Sequence, residues 1–135
     1  MKAIAGLCLA MLYCGYANAG WQTFATTPEG VVYYDPDKVT KLPDGTISAW
    51  VKFNIPPSEV RDEVASFPKF KEYNYSEANE VVDCTTRKVR LVELRHYDKK
   101  GKTFFNKTYS EGATAFKDIP ESRVKGLEKI VCGNA

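Results

Sequence analysis

Four cysteines in a chain of 135 residues set a covalent layout before any strand is drawn. Cys8 and Cys14 fall inside residues 1–19, which read as a secretory signal. Lys2 supplies the positive start, residues 3–13 the apolar run, and Ala17, Asn18 and Ala19 a small-x-small site ahead of Gly20. With that leader removed, Cys84 and Cys132 remain as the one pair, 48 residues apart, in an oxidising compartment. A bond between them would stabilise the fold by roughly 4 kcal/mol on the loop-entropy account. The other reading is two buried free thiols. Two cysteines and the single His96 fall short of the three or four ligands of a metal site, so neither a metal nor a cofactor is expected.

The leader's apolar run is roughly half the ~20 residues that a spanning helix needs, and no later stretch is apolar enough. Cys14 stands at the depth where bacterial lipoproteins carry a lipidated cysteine. The bulky Tyr13 before it opposes that processing, which wants small residues there. Residues 20–135 are therefore expected to form one exported, unlipidated domain, in the periplasm or at the cell surface.

Within that domain the apolar residues alternate. Over residues 46–54, Ile47, Ala49, Val51 and Phe53 share one phase, while Ser48, Trp50 and Lys52 share the other. The first set should face a core and Trp50 the opposite face. Residues 21–26, 31–34 and 102–110 read as further strands, with turn signals at Pro28 and Gly30, at Pro43-Asp44-Gly45, and at Asp98 and Gly101. Residues 81–97 are the longest β-favouring run, and fully extended they would reach ~55 Å, too long for one straight strand here. Val89 and Leu91 belong to one phase and Val92 and Leu94 to the other, which asks for a bend or bulge, expected near 86–88.

Residues 58–80 are the least regular part, read as a long connection with a helical turn capped by Ser58. At the C-terminus the period changes. Val124, Leu127 and Val131 fall at i, i+3 and i+7, predicting a helix over 121–131 that stops at Cys132 and Gly133. The expected fold is α+β: an antiparallel sheet of about six strands, with a C-terminal α-helix packed on one face and linked to it by Cys84 and Cys132.

Little in the chain points to catalysis. As a general base His96 would need a nucleophile and an orienting acid in reach, which the sequence does not supply, and it reads as a surface strand residue. There is no nucleophile elbow, no phosphate-cradling glycine motif and no carboxylate run with calcium-loop spacing, so the protein is not expected to be an enzyme. The positive signal is basic. Arg87, Lys88, Arg90, Arg95, Lys99, Lys100, Lys102 and Lys107 lie in a stretch whose acids are Glu93 and Asp98 alone. Paired strands would set part of this group on rungs ~5 Å apart, a surface suited to polyanions or acidic proteins. The competing reading is that these lysines guard a sheet edge against other chains. Formal net charge is only +2, or +1 without Lys2, which argues against nucleic acid as a partner.

Several landmarks occur in an order that resembles the bacterial surface-adhesin protein E family. They are Trp21 at the mature start, Tyr33-Tyr34-Asp35 after the first turn, Trp50, Val82-Asp83-Cys84, and Ile130-Val131-Cys132-Gly133 at the end. The resemblance spans nearly the whole mature chain. It implies an antiparallel sheet with a C-terminal helix tied down by Cys84 and Cys132. It also implies adhesion to host cells and extracellular-matrix proteins, with no catalytic residues to carry over. The family's namesake is lipid-anchored, a point on which Tyr13 sets this chain apart.

Two functions stay open. One is a non-enzymatic exported binding module that contacts matrix proteins or polyanions through the basic strand pair and the Trp50 face. The other is a periplasmic protein that inhibits or escorts another exported protein through residues 56–80. A free sheet edge would also permit a homodimer.

Overall fold

Alternation along the 47–53 stretch places Ile47, Ala49 and Val51 in the core, each at most 3% exposed, with Phe53 half-buried beside them. The structure, a computed structural model, describes residues 20–28, 30–119, 126 and 131–133. In chain order it contains β1 (Gln22–Thr27), β2 (Gly30–Tyr34), β3 (Thr40–Lys41) and β4 (Ile47–Phe53). Helix α1 (Pro57–Ser66) follows, then β5 (Tyr73–Asp83), β6 (Lys88–Asp98), β7 (Thr103–Thr108) and β8 (Lys117–Asp118). Short 3-10 turns at Pro36–Lys38 and Pro68–Glu72 fill two connections.

The described strands form one antiparallel sheet of eight, ordered β1-β2-β4-β5-β6-β7. The two strands beyond the expected six are two-residue pieces. β3 continues along the edge of β4 that β2 began, and β8 does the same for β7 along β6.

β5 and β6 pair along nearly their whole length, with a register shift in the middle. Asn79 faces Glu93 and Glu80 faces Leu91, which leaves Val92 with no opposite residue. That extra residue reconciles the two phases, because Val89 and Leu91 before it and Leu94 after it all pack against the core. The break expected near 86–88 is instead a hairpin turn over residues 84–87. Asp83 Oδ1 shapes it by accepting from the Thr85 and Thr86 N–H groups at 3.0 and 3.3 Å. Arg87 closes the turn with a φ of 57°.

Two expectations are corrected. Residues 58–80 are not an irregular connection: α1 has 10 residues, and β5 is a central strand of 11. The cap position of α1 is Pro56 rather than Ser58, with no side-chain capping bond. Pro57 suits the first turn, where a missing N–H has no intrahelical partner to lose. On β5 the buried positions are Ser76 and Ala78, too small and too polar to register as hydrophobic alternation. The second correction is the place of the helix, which is mid-chain and not C-terminal. The helix expected over 121–131 lies outside the described residues, apart from Gly126 and Val131, both in helical backbone.

Val131 and Ile119 are buried in the same cluster as Ile47 and Val82. Cys132 is bonded to Cys84, with their Cα atoms 5.6 Å apart. Val131 and Cys132 are thus fastened at one end of the core face. The 3-10 turn after α1 covers the other end through buried Phe70.

Candidate functional site

Side chains out of phase with the core gather on the opposite face, which no described helix covers. Trp50 and Lys52 come from β4, Tyr75, Glu77 and Asn79 from β5, and Glu93, Arg95 and Tyr97 from β6. All are half-buried. The Arg95 guanidinium lies 4.5 Å above the Trp50 ring, and its Nε donates to Glu93 Oε2 at 2.5 Å. One rung along, Lys52 Nζ sits 4.5 Å from the Tyr75 ring. Tyr75 stacks on Tyr97 at 4.7 Å and 11°, and Tyr97 Oη donates to Glu77 Oε1 at 2.7 Å. Burial, with the Glu77 charge adding to it, raises the Tyr75 hydroxyl above its ordinary value, so the ring under Lys52 stays neutral. The result is a flat surface of rings and cations already in contact with one another.

The structure brings Trp50 and Arg95 together and spreads the other expected residues along β6. Arg90 and Lys88 share the open-face phase, opposite Val81 and Asp83. Phe116 lies 5.9 Å from the Arg90 guanidinium, whose Nη1 is buried without a hydrogen-bond partner. Arg87 occupies the turn at this end. Lys99, Lys100 and Lys102 occupy the other, where Asp98 Oδ1 accepts from the backbone N–H groups of Lys100 and Lys102 at 2.9 Å. Those bonds, led by the one from Lys102, hold the Asp98 carboxyl below its usual value. A strand of 11 residues separates the two ends by ~33 Å. The basic residues therefore form a long row with charged ends, not one compact patch.

Edge guarding accounts for only part of this row. β6 is an interior strand, flanked by β5 on one side and by β7 and β8 on the other, so Arg90 and Arg95 guard no edge. Lys107 does lie on the edge strand β7, with its Nζ 5.0 Å from the Tyr109 ring.

The core face holds a second arrangement that sequence reasoning missed. His96, read as a surface residue, is 6% exposed. Its Nδ1 is 2.8 Å from Ser76 Oγ, which lies 2.6 Å from Tyr73 Oη, and Tyr73 Oη accepts from the Ile55 N–H at 3.1 Å. Phe70 and Phe105 stand against the imidazole with ring centroids at 5.1 and 5.0 Å. Burial pushes the His96 pKa down and the Tyr73 pKa up. The usable signal was spacing, since His96 follows Leu94 by two and so shares its inward phase. Ser76 is fully buried and bonded on both sides, so its hydroxyl is not presented as a nucleophile. Among the described residues no group of three or more His, Cys, Asp or Glu could hold a metal ion, and no helix is long and apolar enough to cross a membrane.

Solved structures of another protein share this architecture. Crystal form II of Haemophilus influenzae protein E aligns with a TM-score of 0.58 at 10% identity, covering 86% of this chain and 89% of that one. The selenomethionine form of Haemophilus influenzae protein E aligns with a TM-score of 0.55 at 11% identity, covering 86% and 88%. Likeness at such identity carries the fold alone. No curated protein matches the sequence. Residues 21–133, from the first tryptophan through the disulfide, match the family described as Surface-adhesin protein E, and the chain belongs to that family.

Proposed function

We propose that this protein is a non-enzymatic, exported, adhesin-like binding module that takes an elongated anionic ligand on the open face of its sheet. The ligand would be a sulfated glycan or an acidic stretch of a matrix protein. The observation that carries this reading is Arg95 lying on Trp50, repeated one rung away by Lys52 on Tyr75. Each ring holds a cation at the sheet surface, so less side-chain freedom is lost when an anion arrives. Arg90, Lys88 and Arg87 extend the row in one direction, and Lys99, Lys100 and Lys102 lie beyond it in the other. A long row suits a long polyanion better than a small one. Family membership supports the adhesin-like part of this reading. A leader over residues 1–19 and a disulfide between Cys84 and Cys132 both fit export.

The test is binding of the purified protein to immobilised heparin and to matrix proteins across a salt series. Retention at low salt that disappears as salt rises, and that Arg90→Glu with Arg95→Glu abolishes while the circular dichroism spectrum is unchanged, supports the proposal. Flat binding curves at low salt, or curves indifferent to those substitutions, would reject it.

A further inference from the structure

Beneath α1, on the side of the sheet away from the basic row, lies a groove of 510 Å3. Pockets that hold small organic molecules run from ~300 to 1,000 Å3. Its apolar lining comes from Phe53, Phe67, Phe70, Leu91, Leu94 and Phe105. α1 itself contributes no buried residue, so it stands off the sheet and leaves the space open. From α1, Glu59 and Glu63 line the groove one helical turn apart, and neither has an ion-pair partner among the described residues.

The opposite wall carries His96, whose Nδ1 lies 2.8 Å from Ser76 Oγ. The Ile55 N–H donates to Tyr73 Oη, which lies 2.6 Å from Ser76 Oγ. Of the two directions open to this chain, the one in which Tyr73 donates to Ser76 and Ser76 to His96 Nδ1 gives every hydroxyl hydrogen an acceptor. A neutral imidazole that accepts at Nδ1 carries its hydrogen on Nε2. Nε2 has no partner among the described residues, although the side chain is almost wholly buried and lines the groove. The cavity therefore combines an apolar body, an unused N–H donor and two unpaired carboxylates.

We propose that this groove binds a small amphipathic cation, an alkyl- or arylammonium compound. Its apolar part lies among Phe70, Leu94 and Phe105, and Glu59 and Glu63 hold its ammonium group. His96 Nε2–H is then free to donate to an oxygen or a ring face on the ligand. Charge selects the class. An anion would meet three carboxylates, since Glu80 lines the groove along with Glu59 and Glu63, and a neutral hydrocarbon would strip water from the two on α1 without pairing them. The inference stands apart from the open-face reading, since the two surfaces lie on opposite sides of the sheet.

His96 is the single histidine of the chain, so its ring nitrogen signals are unambiguous in NMR. The experiment titrates the protein with octylamine at about pH 7.5, where the amine is charged and the carboxylates ionised. Octanoate and octanol serve as charge-reversed and neutral controls. Octylamine should saturate one site and shift the His96 ring signals, and the exposed double variant Glu59→Gln, Glu63→Gln should weaken it by about tenfold or more. Octanoate or octanol binding as tightly as octylamine would overturn the proposal. So would the lack of a saturable shift at His96, or unchanged affinity in a double variant whose remaining spectrum shows an intact fold.

Discussion

The two faces of this sheet are made by the same strands and held by different physics. On one face Ile47, Ala49, Val51, Ala78 and Val82 are removed from water, and each contributes roughly 25 cal/mol per Å2 of apolar surface hidden. On the other, Trp50, Tyr75 and Tyr97 remain half-exposed beneath cations and beside one another. Contacts of that kind contribute only about 0.5–1 kcal/mol each. The bulk of the stability and the proposed polyanion surface therefore lie on opposite sides of a single layer, and either can be altered while the other is left standing.

The hardest blow to the buried side is to its fastening. Replacing Cys84 and Cys132 by serine should lower unfolding free energy by about 4 kcal/mol in urea titrations, and an equal loss from any open-face substitution would erase the contrast. Ile47→Ala comes next, at about 3 kcal/mol, because the side chain is buried and leaves a cavity. A third test uses acid. His96 has a folded pKa below its unfolded value because burial disfavours the charged ring. Its contribution is thus complete above about pH 6.5 and falls away as pH drops through the folded pKa. The urea midpoint should decline over that window, and His96→Gln should flatten the decline.

Smaller effects probe the open side and its ends. Arg87 adopts a left-handed backbone that L side chains resist, so Arg87→Gly should raise stability by about 1 kcal/mol while weakening retention on heparin. Arg95→Ala should cost about 1 kcal/mol or less of stability yet remove most polyanion binding. A large loss of stability there would mean that the row supports the fold and is not a recognition surface.

Much of the fold is legible in the sequence wherever one face of a strand is greasy and the other is not. β4 shows both of its faces because Ile47, Ala49 and Val51 alternate with Ser48, Trp50 and Lys52. The Cys84–Cys132 bond is legible as the one pair left once residues 1–19 are read as a leader. β5 is hidden for the converse reason. Its inward positions Ser76, Ala78 and Glu80 are small or polar, and only pairing with β4 and β6 on either side makes them a strand. The same neighbours convert His96 from a lone polar residue into a buried one, since Ser76 and Phe70 reach it from distant parts of the chain. The basic residues could be counted in sequence, but how they divide between a face and two turns depends on where β6 begins and ends.

The bond between Cys84 and Cys132 also decides how the domain would carry load. Tension entering from the C-terminus passes directly to the β5–β6 turn, and the chain between the two cysteines, 48 positions apart, is shielded from it. Stretched in single-molecule force spectroscopy, the oxidised protein should show a contour length shorter by about 160 Å than the reduced one. Under tension the domain would then keep β6, and every cation along it, inside a ring that pulling cannot unravel.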